Sequence, residues 1–305
     1  MTSTSLIFGF PVAVVALGVA ILSLLVALIA LIWQVTKHVL DGGRVRVHLN
    51  AAILEPKFQL ATNKSGKFEM PAPGGIGLLR PQNIEVAQLV VENPGRTAVT
   101  IHGPTLAVSG VGGKSYSISP RKFAWDGDGA DDAITTSAVR VDPYSRVTFL
   151  LDYWSVVPRL HQQASGGSVR LRGMVNVGGR RRASRSSRRL AWRIEEGAWT
   201  VLADVEEVHP YTVMWRELYR AHGRIDQRDD LNGPSFEVLE SAIYRIMEHF
   251  DEKPAFDELL NALRREEESM EGEVFSLSML ALDISNAFDF HAGRLGKWPS
   301  SGRAL

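Results

Sequence analysis

The spacing of apolar positions changes twice along this chain and divides it into three stretches. Residues 6–36 carry no charged side chain. About 20 apolar helical residues cross the ~30 Å hydrocarbon core of a bilayer, so this run predicts a transmembrane helix with residues to spare. From residue 44 the period falls to two: Arg44-Val45-Arg46-Val47-His48-Leu49 alternates as a half-buried strand does. Residues 85–91 predict a second strand, closed by the turn signal Asn93-Pro94-Gly95 and answered by a return at 98–102. Further strands are predicted at 105–109, 115–119, 138–141, 146–151, 168–177 and 189–194. Many short strands between Gly, Pro and Asp turns, with no helix among them, predict an all-β antiparallel sandwich. The phrase at residues 91–99 gives it an immunoglobulin-like architecture without the cysteine pair of antibody domains. Residues 56–81, with four Pro and four Gly, predict an irregular excursion.

Beyond residue 204 the period becomes helical. Phe236, Leu239, Ile243, Ile246 and Phe250 follow one another at spacings of 3, 4, 3 and 4, one stripe of an amphipathic helix, with Ser235 as its predicted cap. A second helix is predicted from Pro254, with Phe256, Leu259, Leu260 and Leu263 inward and Glu266-Glu267-Glu268 outward. A third covers 276–290 through Leu277, Leu280, Ile284, Ala287 and Phe288, and an earlier helical stretch at 213–221 bridges the two halves. The expected organisation is therefore a short tail (1–5), a transmembrane helix (6–36), a basic β-sandwich domain (37–203), a small all-α domain (204–292) and a loose tail (293–305).

Charge sharpens that division. The formal net charge is zero, yet residues 37–203 hold 23 Lys and Arg against 13 Asp and Glu, and residues 204–305 hold 11 against 21. The halves thus carry surpluses of ten, opposite in sign. Charge also orients the apolar run. No Lys or Arg precedes it, whereas Lys37, Arg44 and Arg46 follow. The positive-inside rule then puts the amino terminus outside and both domains in the cytoplasm. A secretory signal would have a basic start and an apolar stretch of about 7–15 residues. This run is longer and ends in Trp33-Gln34-Val35-Thr36-Lys37, where Trp33 and Lys37 suit the membrane interface. The chain has no cysteine, which removes disulfide frameworks and thiolate metal sites.

Few motifs suggest chemistry. Gly112-Gly113-Lys114-Ser115 resembles the end of a phosphate-binding loop, but Val108 stands where that loop needs glycine, and an alternating stretch follows instead of a helix. The acidic run Asp126–Asp132 lacks the sixth-position glycine and closing glutamate of a calcium loop. The eight histidines show no metal-ligand spacing, and no Gly-x-Ser-x-Gly element presents a nucleophile. No cofactor, metal or small-molecule substrate is inferred. The densest local feature is the stretch 178–189, a predicted hairpin tip carrying Arg180, Arg181, Arg182, Arg185, Arg188 and Arg189. Such density calls for water, salt or an anionic partner: an acidic protein surface, such as the chain's own helical half, or anionic lipid or nucleic acid. Ser184, Ser186 and Ser187 lie among these arginines. Nucleic acid is not an expected partner of the helical half, whose third helix offers Asp283 and Asp289 and no Lys or Arg before Arg294. The expectation is a membrane-anchored, non-enzymatic adaptor or scaffold that binds protein or anionic lipid. The alternatives are a membrane-tethered enzyme or toxin-like effector, and an extracytoplasmic sandwich that binds at the cell surface.

Overall fold

A computed structural model describes residues 6–7, 10–54, 60–63, 83–111, 114–123, 138–164, 167–201, 207–225, 236–270 and 276–298. The acidic run at 126–132, Gly112-Gly113, Ser235 and most of 56–81 lie outside the described residues. The apolar run forms α1, Val12–Asp41. It starts later than the uncharged stretch because Pro11 forces Phe10 out of the helical region; β1 (Leu6–Ile7) pairs antiparallel with β2 (Phe10–Pro11) instead. The window Val12–Lys37 has a mean hydropathy of 3.1 and none of it is buried, so α1 is long and apolar enough to cross a membrane.

Two antiparallel sheets follow. The first runs β4-β3-β5-β10-β8, formed by Leu60–Asn63, Arg46–Leu54, Ile84–Glu92, Arg146–Asp152 and Arg121–Phe123. The second runs β12-β11-β6-β7, formed by Ser184–Arg185, Val169–Val177, Val99–Val111 and Lys114–Ile118. In this second sheet β13 (Trp192–Ile194) also pairs with β11, and β9 (Ala138–Val141) with β6. Cross-strand register puts Leu49, Leu89 and Phe149 on one face of the first sheet. That face meets β11 so closely that a Cβ on Gly173 would stand 2.2 Å from Leu89 Cδ1 and 3.4 Å from the side chains of Leu49 and Val47. The absent side chain at 173 is what lets the leucines fill the space between the sheets.

The strand pattern predicts no helix among the strands, but α2 (Val157–Ala164) lies between β10 and β11. Its buried apolar residues, Val157 and Leu160, span a single turn, too short a stripe to show as a period. Four helices close the chain: α3 (Pro210–Ile225), α4 (Phe236–Met247), α5 (Phe256–Ser269) and α6 (Ala281–His291). Every residue of α3 from Pro210 to Arg220 is buried. One side meets the outer face of the first sheet, where Tyr219 packs edge-on against Phe123 at 6.3 Å. Another meets α4, with the Tyr211 and Tyr244 rings 4.7 Å apart. Buried side chains of the sheets and of α2 to α6 form one continuous cluster. The charge division near residue 204 therefore marks no break in packing.

Within the stretch expected to be a loose tail, residues 293–298 make defined contacts. Val208 N–H donates to Arg294 O (2.8 Å), Gly296 N–H donates to Val208 O (3.0 Å), and Trp298 packs on Phe288 at 5.2 Å. Residues 293–298 are thus held to the start of α3.

Gly173→Ala should lower stability by about 1–3 kcal/mol through overpacking between the sheets. Chemical denaturation of the two proteins checks this: the midpoint should fall with the slope unchanged.

Candidate functional site

At the end of α1 the chain is clamped to the paired sheets by one side chain. Asn93 ends β5's run and is fully buried. Its Nδ2 donates to the carbonyls of Thr97 (2.9 Å) and Val141 (3.1 Å), and its Oδ1 accepts from the N–H groups of Gly95 (3.1 Å) and Arg44 (3.2 Å). Its backbone N–H donates to Ser145 O (2.9 Å), and its carbonyl accepts from Tyr144 N–H (2.8 Å). Gly42 caps α1. A Cβ on Gly95 would stand 2.3 Å from Gly42 O, and one on Gly43 would stand 2.4 Å from Val99 Cγ1. Two glycines and an asparagine thus press the linker 42–44 onto the turns at 93–97 and 141–145 with no slack. The sequence signalled Asn93-Pro94-Gly95 as a turn; its grip on the linker needed the three-dimensional structure.

The six arginines fall into two groups. Gly178 and Gly179 turn the chain, Gly179 at φ 75°, and Arg180 Nη2 then donates to Gly43 O at 2.6 Å. Arg180, Arg181 and Arg182 are exposed there, beside the exit of α1. The chain runs back as β12, pairing Arg185 with Met174, and Ser187 caps a 3-10 turn at Arg188–Leu190. Arg185, Arg188 and Arg189 therefore sit roughly 10 Å or more along β11 from the tip, at the ~3.3 Å rise of a strand. Burial, then the charges of Arg185 and Arg188, pull the neighbouring Arg172 guanidinium below its ordinary value. Among the described residues none of the six forms an ion pair. Of the three serines, Ser186 is buried: its Oγ accepts from Gly173 N–H at 3.0 Å and its carbonyl accepts from Arg172 Nε at 2.8 Å. Ser184 is partly exposed and Ser187 exposed. On α1, Trp33 and Lys37 are both exposed, one helical turn apart.

A second constellation, not read from the sequence, lies under α3. Arg216 Nη2 donates to Asp152 Oδ1 at 2.6 Å and its Nη1 to Glu85 O at 2.7 Å, while its guanidinium lies 3.9 Å from the Trp154 ring centroid. Arg121 bridges Asp152 (2.8 Å) and Glu217 (2.7 Å); Arg220 bridges Glu217 (2.5 Å) and Asp283 (2.9 Å). Burial opposes ionisation of Asp152, but Arg216 and Arg121 hold its carboxyl below the usual range. Burial pushes the Glu85 carboxyl up, against donors from Thr200, Tyr153 and Trp154. The visible signal was Tyr211, Trp215 and Tyr219 at spacings of four with Arg216, Glu217 and Arg220 between them. A helix apolar on one side and charged on the other reads as half-exposed; paired charges allow this one to be buried throughout.

Beside this network a cleft of about 530 Å³ opens between α2, α3, α6 and residues 118–121. Its floor includes Asp152, Trp154, Arg216 and His291, and Arg159, Asp283 and Asn286 stand among its lining. His291 packs 6.0 Å from both Trp154 and Trp199, its Nδ1 has no hydrogen-bond partner among the described residues, and burial and then Arg216 push its pKa down to about 4. The imidazole is thus neutral at pH 7. Among the described residues no group of three or more His, Asp or Glu is placed to hold a metal ion. No family model, curated protein or solved structure matches this chain.

Arg216→Met should cost about 3–5 kcal/mol, because it leaves Asp152 buried with one cation fewer; the unfolding free energy at pH 7 measures it. Acid should act on His291. Its folded pKa of about 4 lies below the ordinary 6.5, so the unfolded chain takes the proton first. Stability is full above pH 6.5 and falls progressively toward pH 4, by about 3 kcal/mol at most from this residue. His161 and His209, also shifted down by burial, act in the same direction. His291→Phe should flatten the melting-temperature profile between pH 6.5 and 4 relative to the parent.

Proposed function

We propose that this chain is a single-pass membrane protein in which α1 crosses the bilayer and the rest is a non-enzymatic binding module, an adaptor or scaffold, on the cytoplasmic side. The observation that carries the reading is the clamp at Asn93. It joins an exposed apolar helix to a body that carries, beside the junction, exposed arginines with no ion pair among the described residues. A slack linker would serve to tether; a tight one also sets how the body faces the membrane. The two facing antiparallel sheets support an immunoglobulin-like architecture for the body. The arginines provide one contact for an anionic partner, and the acidic surface of α4 to α6 another. The inward orientation rests on Lys37, Arg44 and Arg46 after the apolar run and none before it.

A membrane-tethered enzyme or effector is the second reading, favoured by the cleft and by His291 Nδ1, which has no partner among the described residues. Arg121 and Arg216 neutralise the carboxylates beside it, so Asp152 and Glu217 are engaged rather than poised for proton transfer. That weighs toward binding.

The absence of cysteine makes the topology measurable. Ser3→Cys and Ser187→Cys are made separately and intact cells treated with a membrane-impermeant maleimide. Labelling of position 3 in intact cells, and of 187 only after lysis, is the expected pattern. The reverse would place the body outside and make surface binding the leading idea. Release of the chain by alkaline carbonate would remove the anchor altogether.

A further inference from the structure

Resting on the anchor reading, we propose that the end of the paired sheets beside α1 is itself a docking surface for anionic phospholipid headgroups. Arg180, Arg181, Arg182 and Arg96 form its basic part, and Tyr144 is its interfacial anchor. Three independent observations converge on this face.

The first is distance. Thr36 ends the uncharged run and Gly42 caps the helix six residues later, about 9 Å along the axis at 1.5 Å per residue. The headgroup layer occupies about 5–8 Å on each side of the hydrocarbon. The face formed by the linker 42–44 and the turns packed on it therefore begins where the headgroups end, and the Asn93 clamp holds it there.

The second is charge. The segments at this end, residues 42–46, 92–99, 140–146 and 178–182, contain eight arginines against Glu92 and Asp142. Asp142 pairs with Arg140 at 3.0 Å and Glu92 stands 3.5 Å from the His48 imidazole, so with both acids counted the arginines keep a surplus of six. Arg181 and Arg182 are exposed and form no ion pair among the described residues. Each cation near an anionic membrane surface is worth roughly fivefold in association. The second arginine group lies farther up the sheet by more than the ~8 Å Debye length of physiological salt, where the bilayer's field is screened.

The third is Tyr144. It is 71% exposed and sits at φ 58°, a left-handed conformation that a bulky side chain rarely adopts. The fold imposes it, through Tyr144 N–H donating to Asn93 O and the hydroxyl accepting from Arg96 Nε at 3.2 Å. A strained residue that gains no burial from its strain points to a use outside the body. A tyrosine reaching into the headgroup layer supplies one: the ring packs among the headgroups and the hydroxyl stays with polar neighbours.

The test uses the full chain reconstituted in nanodiscs of phosphatidylcholine, alone or mixed with phosphatidylserine. An environment-sensitive fluorophore is placed on a single cysteine, Ala183→Cys beside the arginine tip or Trp33→Cys on α1, and quenched with spin-labelled lipid. Position 183 should be quenched several-fold more strongly with phosphatidylserine than without, and the difference should vanish in high salt. Arg181→Ser with Arg182→Ser should abolish that difference. The same number of charges removed as Arg170→Ser with Arg193→Ser, roughly 25 Å away along β11, should preserve it. Tyr144→Ser should lower the quenching that survives high salt. A quenched position 33 with a position 183 indifferent to lipid composition would overturn the docking surface alone. An unquenched position 33 would overturn the anchor and the docking surface together.

Discussion

The guanidinium of Arg216 is the point on which the body of this protein turns. It is buried on a helix that has no exposed side between Pro210 and Arg220, and it joins three structural layers. Asp152 and the Glu85 carbonyl belong to the first sheet, Trp154 to the segment leading into α2, and Glu217 and Arg220 extend the pairing to Asp283 on α6. Burying so many charges is unfavourable unless each finds a partner, and pairing of this kind adds little net stability over an apolar core. What it adds is position. The pairing of Arg121, Asp152, Arg216, Glu217 and Arg220 fixes the placement of α3; α4 and α6, which pack on α3, inherit it directly, and α5 inherits it through them.

The opposite end of the molecule follows a different logic. There the fixing element is a neutral amide at Asn93, and the close approaches are made by glycine backbones rather than by large side chains. A buried amide that bonds to several backbone groups holds strongly because each lost bond would leave a desolvated donor or acceptor. The same few residues fix the linker, hold Tyr144 in its strained conformation and bring the Arg180 turn against Gly43. Structural restraint and the exposed basic surface are therefore one piece of construction.

Much of this was legible in the sequence. The long uncharged run, the period-two stretches and the 3.6-residue stripe at Phe236–Phe250 each announce an element, because burial on one face imposes a spacing that composition alone reveals. What stayed hidden depends on distance in sequence. Asp152 and Arg216 are far apart along the chain, and neither carries a local mark of being paired. The charge division near residue 204 suggested separate bodies; in the structure charges from its two sides meet in pairs under α3, as at Arg121 and Glu217. The arginine run was conspicuous, but the sequence could not say that half of it lies at the α1 exit, nor that Ser186 among it faces the interior. The short α2 was missed because one turn of apolar residues has no period to detect.

The tightness of the linker has a mechanical meaning. A helix joined to a body through backbone-to-backbone contact cannot spin freely beneath it, so rotation of α1 about its own axis is rotation of the whole body. Any event that fixes the azimuth of α1, such as the side-by-side meeting of two such helices, thereby fixes the heading of everything above it. The Asn93 clamp acts as a torsional coupling, converting contacts made along a featureless apolar rod into a defined facing of the cleft and the acidic helices.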